Sequence, residues 1–213
     1  MKAFRVVRGQ HIGKRHFAMC RAAGAGQGLV EEETLSHYNP SQYYPVHIDQ
    51  TFCSRYKIAA KVGFGGSSTV WLCEDVVYVS KRHSADRQLT TRSDKSFKTI
   101  KIGIRGTSES QEVKVLEYLK SINSPHEGRY CVRRACDSFE IQVPGGRHHC
   151  IVYEPLGLSL LDYVGRQQNR TLNAGLVKWT MTYLLKAVDY LHTSGVVHTG
   201  IHGDQGPVIV CLY

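Results

Sequence analysis

The segment Val62-Gly63-Phe64-Gly65-Gly66-Ser67-Ser68-Thr69-Val70-Trp71-Leu72 spaces its glycines so that backbone amides can wrap closely around a ligand, most often phosphate. β-Branched and aromatic residues follow at once, so the chain runs on as a second strand instead of opening a helix. The segment therefore reads as a glycine turn between antiparallel strands, a lid, and not as the strand-to-helix loop of a dinucleotide fold or P-loop. By itself such a turn also describes an ordinary hairpin. Two later charges add chemistry. Lys101 lies between Ile100 and Ile102, where an inward ammonium is costly unless it meets an anion. Glu112, early in the next helical stretch, is a candidate partner. Solvated surface positions are the usual fate of Lys and Glu. Their order after the glycine turn lifts them above it, because phosphoryl transfer needs a cover over the phosphates, a cation to fix them and an anion to hold that cation.

The elements that must carry these residues are legible from periodicity. Tyr56 to Val62 and Thr69 to Cys73 read as a strand pair around the turn, and Phe97 to Ile104 as a strand holding Lys101. Ser110 to Ile122 reads as a helix with Val113, Leu116 and Leu119 on one face. Val132 to Val143, a turn at Pro144 to Gly146, and His149 to Glu154 form a hairpin. Leu158 to Val164 is a short helix. Asn173 caps a long one running to His192, which Gly195 closes. Val177, Met181, Leu184, Val188 and Leu191 predict a buried stripe along it.

With 213 residues, 42% hydrophobic and 21% charged, the chain has a globular composition. No apolar run is long enough to span a bilayer, and no membrane partner is expected. The net charge of +9 is spread over several segments and forms no dense stripe, so no specific nucleic-acid partner is expected. Seven cysteines without CxxC pairs suggest neither a disulfide framework nor a zinc site, and read as reduced, mostly buried thiols of an intracellular protein. Residues 1–30 carry Lys2, Arg5, Arg8, Lys14, Arg15 and Arg21 with no acid before Glu31. That bias fits a basic disordered leader or a mitochondrial presequence, and the absence of serine favours the leader. Residues 75–95 break every period and read as an inserted loop, or as sequence foreign to the mature message.

The order continues with Ile151-Val152-Tyr153-Glu154-Pro155-Leu156-Gly157, the long helix, and Val196-Val197-His198-Thr199-Gly200-Ile201-His202-Gly203-Asp204-Gln205. From about Glu31 to Gln205 the chain resembles the eukaryotic serine/threonine protein kinases, and among them the fungal serine/arginine-protein kinases. The resemblance implies an α+β fold: a kinase-like small lobe, antiparallel sheet plus one helix, with only the first helices of the large lobe. Its divisions would be the leader 1–30, an extended approach 31–55, the small lobe and hinge 56–156, and an incomplete large lobe 157–213. ATP is the implied ligand. Gly63, Phe64, Gly65, Gly66, Ser67 and Ser68 would cover its phosphates, and Val62 and Val70 would clamp the adenine. Lys101 would bind the α- and β-phosphates while paired with Glu112. Tyr153 would be the gatekeeper, and Glu154 and Leu156 would offer hinge backbone to the adenine edge. Thr99 stands where kinases commonly place alanine, which makes the pocket tighter and more polar.

The catalytic loop departs from the family. Gly200 occupies the proton-acceptor aspartate position, His202 replaces a phosphate-steadying lysine, and Gln205 replaces a magnesium-binding asparagine. Loss of a general base alone removes roughly 10² to 10⁴ in rate. Asp204 lies too far along the loop to substitute. The sequence reaches Tyr213 before any Asp-Phe-Gly motif, so it reads as truncated, without the family's Mg2+ ligands and without a competent catalytic centre. Val208 to Leu212 reads as the product of a frame change or read-through near Gly206. The long helix's stripe would then expose apolar surface. Serine/arginine-rich proteins are partners by resemblance only, and the alternative reading is a non-catalytic nucleotide-binding or interaction module, a pseudokinase fragment. The expected location is cytoplasmic or nuclear, or mitochondrial if the leader is a presequence.

Overall fold

The computed structural model describes residues 38–77, 96–106, 111–157, 159–169 and 171–198. The basic leader, most of the inserted loop, Gly200 to Gln205 and the Val208 to Leu212 tail lie outside these described residues. Two compact units are present: a sheet unit within Lys14–Glu109 and Ala135–Pro155, and a helical unit within Ser110–Arg134 and Leu156–Tyr213.

The sheet unit contains β1 (Thr51–Phe52), β2 (Tyr56–Gly65), β3 (Ser68–Asp75), β4 (Phe97–Gly103), β5 (Ala135–Val143) and β6 (Gly146–Tyr153). Its order is β1-β2-β3-β4-β6-β5, antiparallel throughout. Alternation decides which side each strand buries. Tyr56, Ile58, Trp71, Cys73, Ile100, Ile102, Cys150 and Val152 pack with Phe52 into one core, joined by Tyr44, Val46, Phe139 and Ile141. Burying an aliphatic or aromatic side chain of this size stabilises by about 1.5–3 kcal/mol. At the edge, β5 alternates half-buried and exposed residues, whereas β6, flanked on both sides, is buried from His148 to Tyr153.

Beyond the expected strands the structure adds β1, paired Thr51 to Lys57 and Phe52 to Tyr56. The turn behind it uses positive φ at Cys53 and Ser54 (51° and 52°), residues that do not announce a left-handed turn in sequence. Arg55 closes that corner through two hydrogen bonds, 2.9 and 2.7 Å, to the buried carboxylate of Asp75. The end of β3 is fixed again by the Asp75 amide, which donates to the Ser96 carbonyl at 2.8 Å.

The helical unit contains α1 (Gln111–Ser121), α2 (Leu160–Arg166) and α3 (Ala174–Thr193). Its core joins Val115, Cys131, Val132, Ala187, Tyr190, Leu191 and Val196, with Leu116, Leu119 and Leu184 packed against it. The strand expected from Val132 therefore starts only at Ala135, since Cys131 and Val132 serve this core instead. Asn173 caps α3, its Oδ1 accepting from the Leu176 amide at 2.7 Å. At the other end Gly195 takes φ +74°, and the Val196 and Gly195 amides donate to the Leu191 and His192 carbonyls. This pairing is a Schellman closure, with Val196 and Leu191 in the same core.

The predicted stripe of α3 is only partly buried. Leu191 is fully enclosed, but Val177 and Met181 are 39% and 44% exposed, beside exposed Trp179, Tyr183 and Leu185. Thr180, Ala187, Tyr190 and Leu191 form the enclosed side, so the apolar surface of α3 is wider than the core that covers it. Of the described cysteines, Cys73, Cys131 and Cys150 are buried, as expected of most of them, while Cys53 and Cys136 are exposed.

Candidate functional site

The glycine turn joins the last pair of β2 and β3, Gly65 opposite Ser68, leaving Gly66 and Ser67 as its tip. A register shift between Lys61 and Gly63 leaves Val62 without a partner on β3, a bulge that bends the strand just before the turn. Gly66 meets nothing within 4 Å of an ideal Cβ, and no positive φ is recorded for it. Neither packing nor backbone conformation asks for glycine there. Close approach of an external group is a reason that remains. Phe64, Ser68 and Thr69 are buried, and the Thr69 hydroxyl accepts from the indole of Trp71 at 3.0 Å.

Pairing places the other predicted residues in rows. Val70 pairs with Lys101, which pairs on its far side with Ile151. One row further from the turn come Leu72, Thr99 and Tyr153. Since side chains alternate, both rows face away from the Trp71, Ile100 and Val152 core. Val70, Lys101 and Tyr153 thus share one face of the sheet, with Lys101 level with Gly63 and Val70 at the base of the glycine turn. Lys101 is half-buried, while Thr99 and Tyr153 are buried. The Thr99 hydroxyl donates to the Tyr153 carbonyl at 3.4 Å, so the residue expected to tighten this face is bonded to its far strand.

Glu154 is exposed and forms an ion pair with Lys98, and the Cys136 thiol lies 3.5 Å from the same carboxylate. The hydrogen bond from Lys98 holds the Glu154 carboxyl below its ordinary range. Burial is the largest single influence on the Lys98 ammonium and works against it, but the bond to Glu154 and the negative charge of Glu154 and its neighbours together raise the lysine. Burial and the neighbouring Glu154 push the Cys136 thiol up, away from thiolate reactivity. Sequence reading missed this clamp. Its signal is the Thr99 to Tyr153 pairing, which sets the preceding Lys98 across from the following Glu154, and it requires the register to be known.

Glu112 stands in the first turn of α1, in the helical unit, and half-buried Leu156 also belongs to that unit. Lys101 belongs to the sheet unit, so its pairing with Glu112 stays an expectation from sequence. Gly200 lies outside the described residues. Among the described residues, no three His, Cys, Asp or Glu side chains converge on a metal position, and no helix is long and apolar enough to cross a membrane.

No protein-family model matches the chain. A serine/threonine protein kinase of Aspergillus fumigatus is 37% identical over 171 residues, covering 80% of this chain and 39% of that protein. Protein kinase dsk1 of Schizosaccharomyces pombe is 29% identical over 214 residues, covering 97% and 36%. SRSF protein kinase 3 of Mus musculus is 31% identical over 193 residues, covering 87% and 32%. The chain spans 32–39% of the length of these curated relatives. A kinase domain solved by crystallography superposes with a TM-score of 0.56 at 18% identity, covering 76% of this chain and 42% of that one. At that identity the likeness is one of fold.

Proposed function

The chain is a member of the serine/threonine protein kinase family, related to its SR-protein kinases, and on that premise we propose that it binds ATP without catalysing transfer. One observation carries the binding half: the row Val70, Lys101, Ile151 sets a half-buried lysine level with the base of a turn whose Gly66 is not required by its surroundings. In this reading the turn covers the triphosphate and Lys101 fixes the α- and β-phosphates. Val62 and Val70 enclose the adenine, Tyr153 backs the slot, and Glu154 presents backbone to the adenine edge. ATP when bound would supply a γ-phosphate for transfer to protein serine or threonine, the reaction of the lineage, whose substrate class by resemblance is serine/arginine-rich protein.

The non-catalytic half comes from residue identities. Glycine at position 200 has no side chain to orient an acceptor hydroxyl, and His202 and Gln205 replace two further members of a set that acts as one unit. The net charge of +9 also disfavours long-range attraction of arginine-rich substrates.

A thermal-shift titration with magnesium and ATP tests the binding. At a ligand concentration about 100 times Kd the native state gains about 2.7 kcal/mol, raising Tm by about 5–10 °C for a chain of this size. Lys101→Met is expected to abolish that rise. No shift of the wild-type chain at millimolar ATP would overturn the proposal. An arginine-serine peptide assay run on the same protein is expected to show no transfer above background, and measurable transfer would overturn the reading of Gly200.

A further inference from the structure

We propose that Tyr43 is a positioning residue for the glycine turn, holding it over the phosphates through the carbonyl of Gly65. The proposal rests on the ATP-binding reading above. The Tyr43 phenol donates to the Gly65 carbonyl at 3.2 Å across 22 positions of sequence. Its ring is only 8% exposed and lies 5.1 Å from the ring of Tyr38. The backbone before it is fixed in turn. Asn39 caps the short 3₁₀ turn Pro40–Gln42 by accepting from the Ser41 amide at 3.1 Å and the Ser41 hydroxyl at 2.8 Å, and the Tyr43 amide donates to the Pro40 carbonyl at 3.2 Å.

This strap meets the turn a second time through β4. The Arg105 amide donates to the Gln42 carbonyl at 2.7 Å, and the neighbouring Ile104 amide donates to the Ser67 carbonyl at 2.9 Å. Gln42–Tyr43, Ile104–Arg105 and Gly65–Ser67 therefore close a ring of hydrogen bonds in which the tip of the turn is held at two carbonyls from outside the hairpin. The exit of β4 is itself tied to β6, since Gly106 and Arg147 exchange amide-to-carbonyl bonds at 2.9 and 3.0 Å. A turn with adjacent glycines has more conformational freedom to lose on ligand binding than any other. External bonds at its carbonyls remove part of that freedom beforehand, which is preorganisation. Of these bonds only the Tyr43 link comes from a side chain, so it can be deleted without changing the backbone.

Tyr43→Phe keeps the ring beside Tyr38 and removes the hydroxyl that donates to Gly65. Without nucleotide, hydrogen exchange of the amides of residues 64–68 is expected to quicken about two- to ten-fold, the effect of one net hydrogen bond. By calorimetric titration ATP affinity is expected to fall by a similar factor. Adenosine, which offers no phosphate to the turn, should keep its affinity within about two-fold. Unchanged exchange at 64–68, or quickening spread evenly over β2 to β4, would overturn a positioning role. So would faster exchange confined to the turn with ATP affinity unaltered. Failure of the underlying reading is distinguishable: a wild-type chain that binds neither ATP nor adenosine overturns it, and the phosphate role of Tyr43 with it, whatever the exchange shows.

Discussion

Lys98 and Lys101 stand three residues apart on β4, and the odd spacing sends them to opposite sides of the sheet. Lys101 joins the row of Val70 and Ile151, whereas Lys98 reaches the exposed carboxylate of Glu154. Glu154 titrates below its ordinary 4.5, so its ion pair adds stability that is complete above that pH and lost as pH falls through the folded value. Lys98 titrates above its ordinary 10.5, so its share is lost only as pH rises through a still higher value. Because Glu154 is two-thirds exposed at 66%, solvent screens the pair and its contribution is small. Lys98→Met is expected to return the Glu154 carboxyl toward its ordinary range in an NMR titration; an unmoved value would assign the depression to another group. Lys101 was legible in the sequence because an ammonium between two isoleucines conflicts with its surroundings. Lys98, between phenylalanine and threonine near a strand end, carries no such conflict.

At the scale of elements, the strand pair around the glycine turn, β4, α1, the hairpin and α3 were all legible from periodicity, and the close of α3 at Gly195 from one residue. Gly128 shows what periodicity leaves out. A Cβ there would lie 1.9 Å from the Lys186 carbonyl oxygen and 2.8 Å from the Tyr190 Cβ, so only glycine lets the Glu127–Tyr130 turn approach α3. The approach is reinforced by Lys186 on Glu127 at 2.7 Å and by His126 on Asp189 at 3.0 Å. Since the clash is with backbone, the helix must shift. Gly128→Ala is expected to destabilise by about 3 kcal/mol or more in urea unfolding. A loss under about 1 kcal/mol would mean that the turn can retreat without disturbing the core. No local pattern marks this glycine, because its constraint comes from a helix some sixty positions later in the chain.

For the whole molecule, the aspects that sequence alone left open are those that depend on long-range pairing. Apolar spacing on α3 identified a helix but not which part of its surface the core would enclose, and the exposed Val177, Met181 and Leu185 follow from a narrow partner surface. Composition fixed the net charge of +9 but not its arrangement around the site. The break in rhythm after Asp75 was legible as an interruption. What pairing adds is how the sheet treats it: the Asp75 amide bonds the Ser96 carbonyl, Glu74 pairs with Phe97, and Arg55 secures Asp75 from beside β2. Departure and return are one hydrogen bond apart, so neither register nor core depends on how many residues lie between. Loop length enters stability only logarithmically. Replacing residues 78–93 by a short glycine-serine linker is expected to leave Tm within about 4 °C of the parent, read by circular dichroism. Unfolding on replacement would show that those residues support the sheet. A join of this kind is a port at which an experimenter can graft a tag while the row of Val70, Lys101 and Ile151 stays in register.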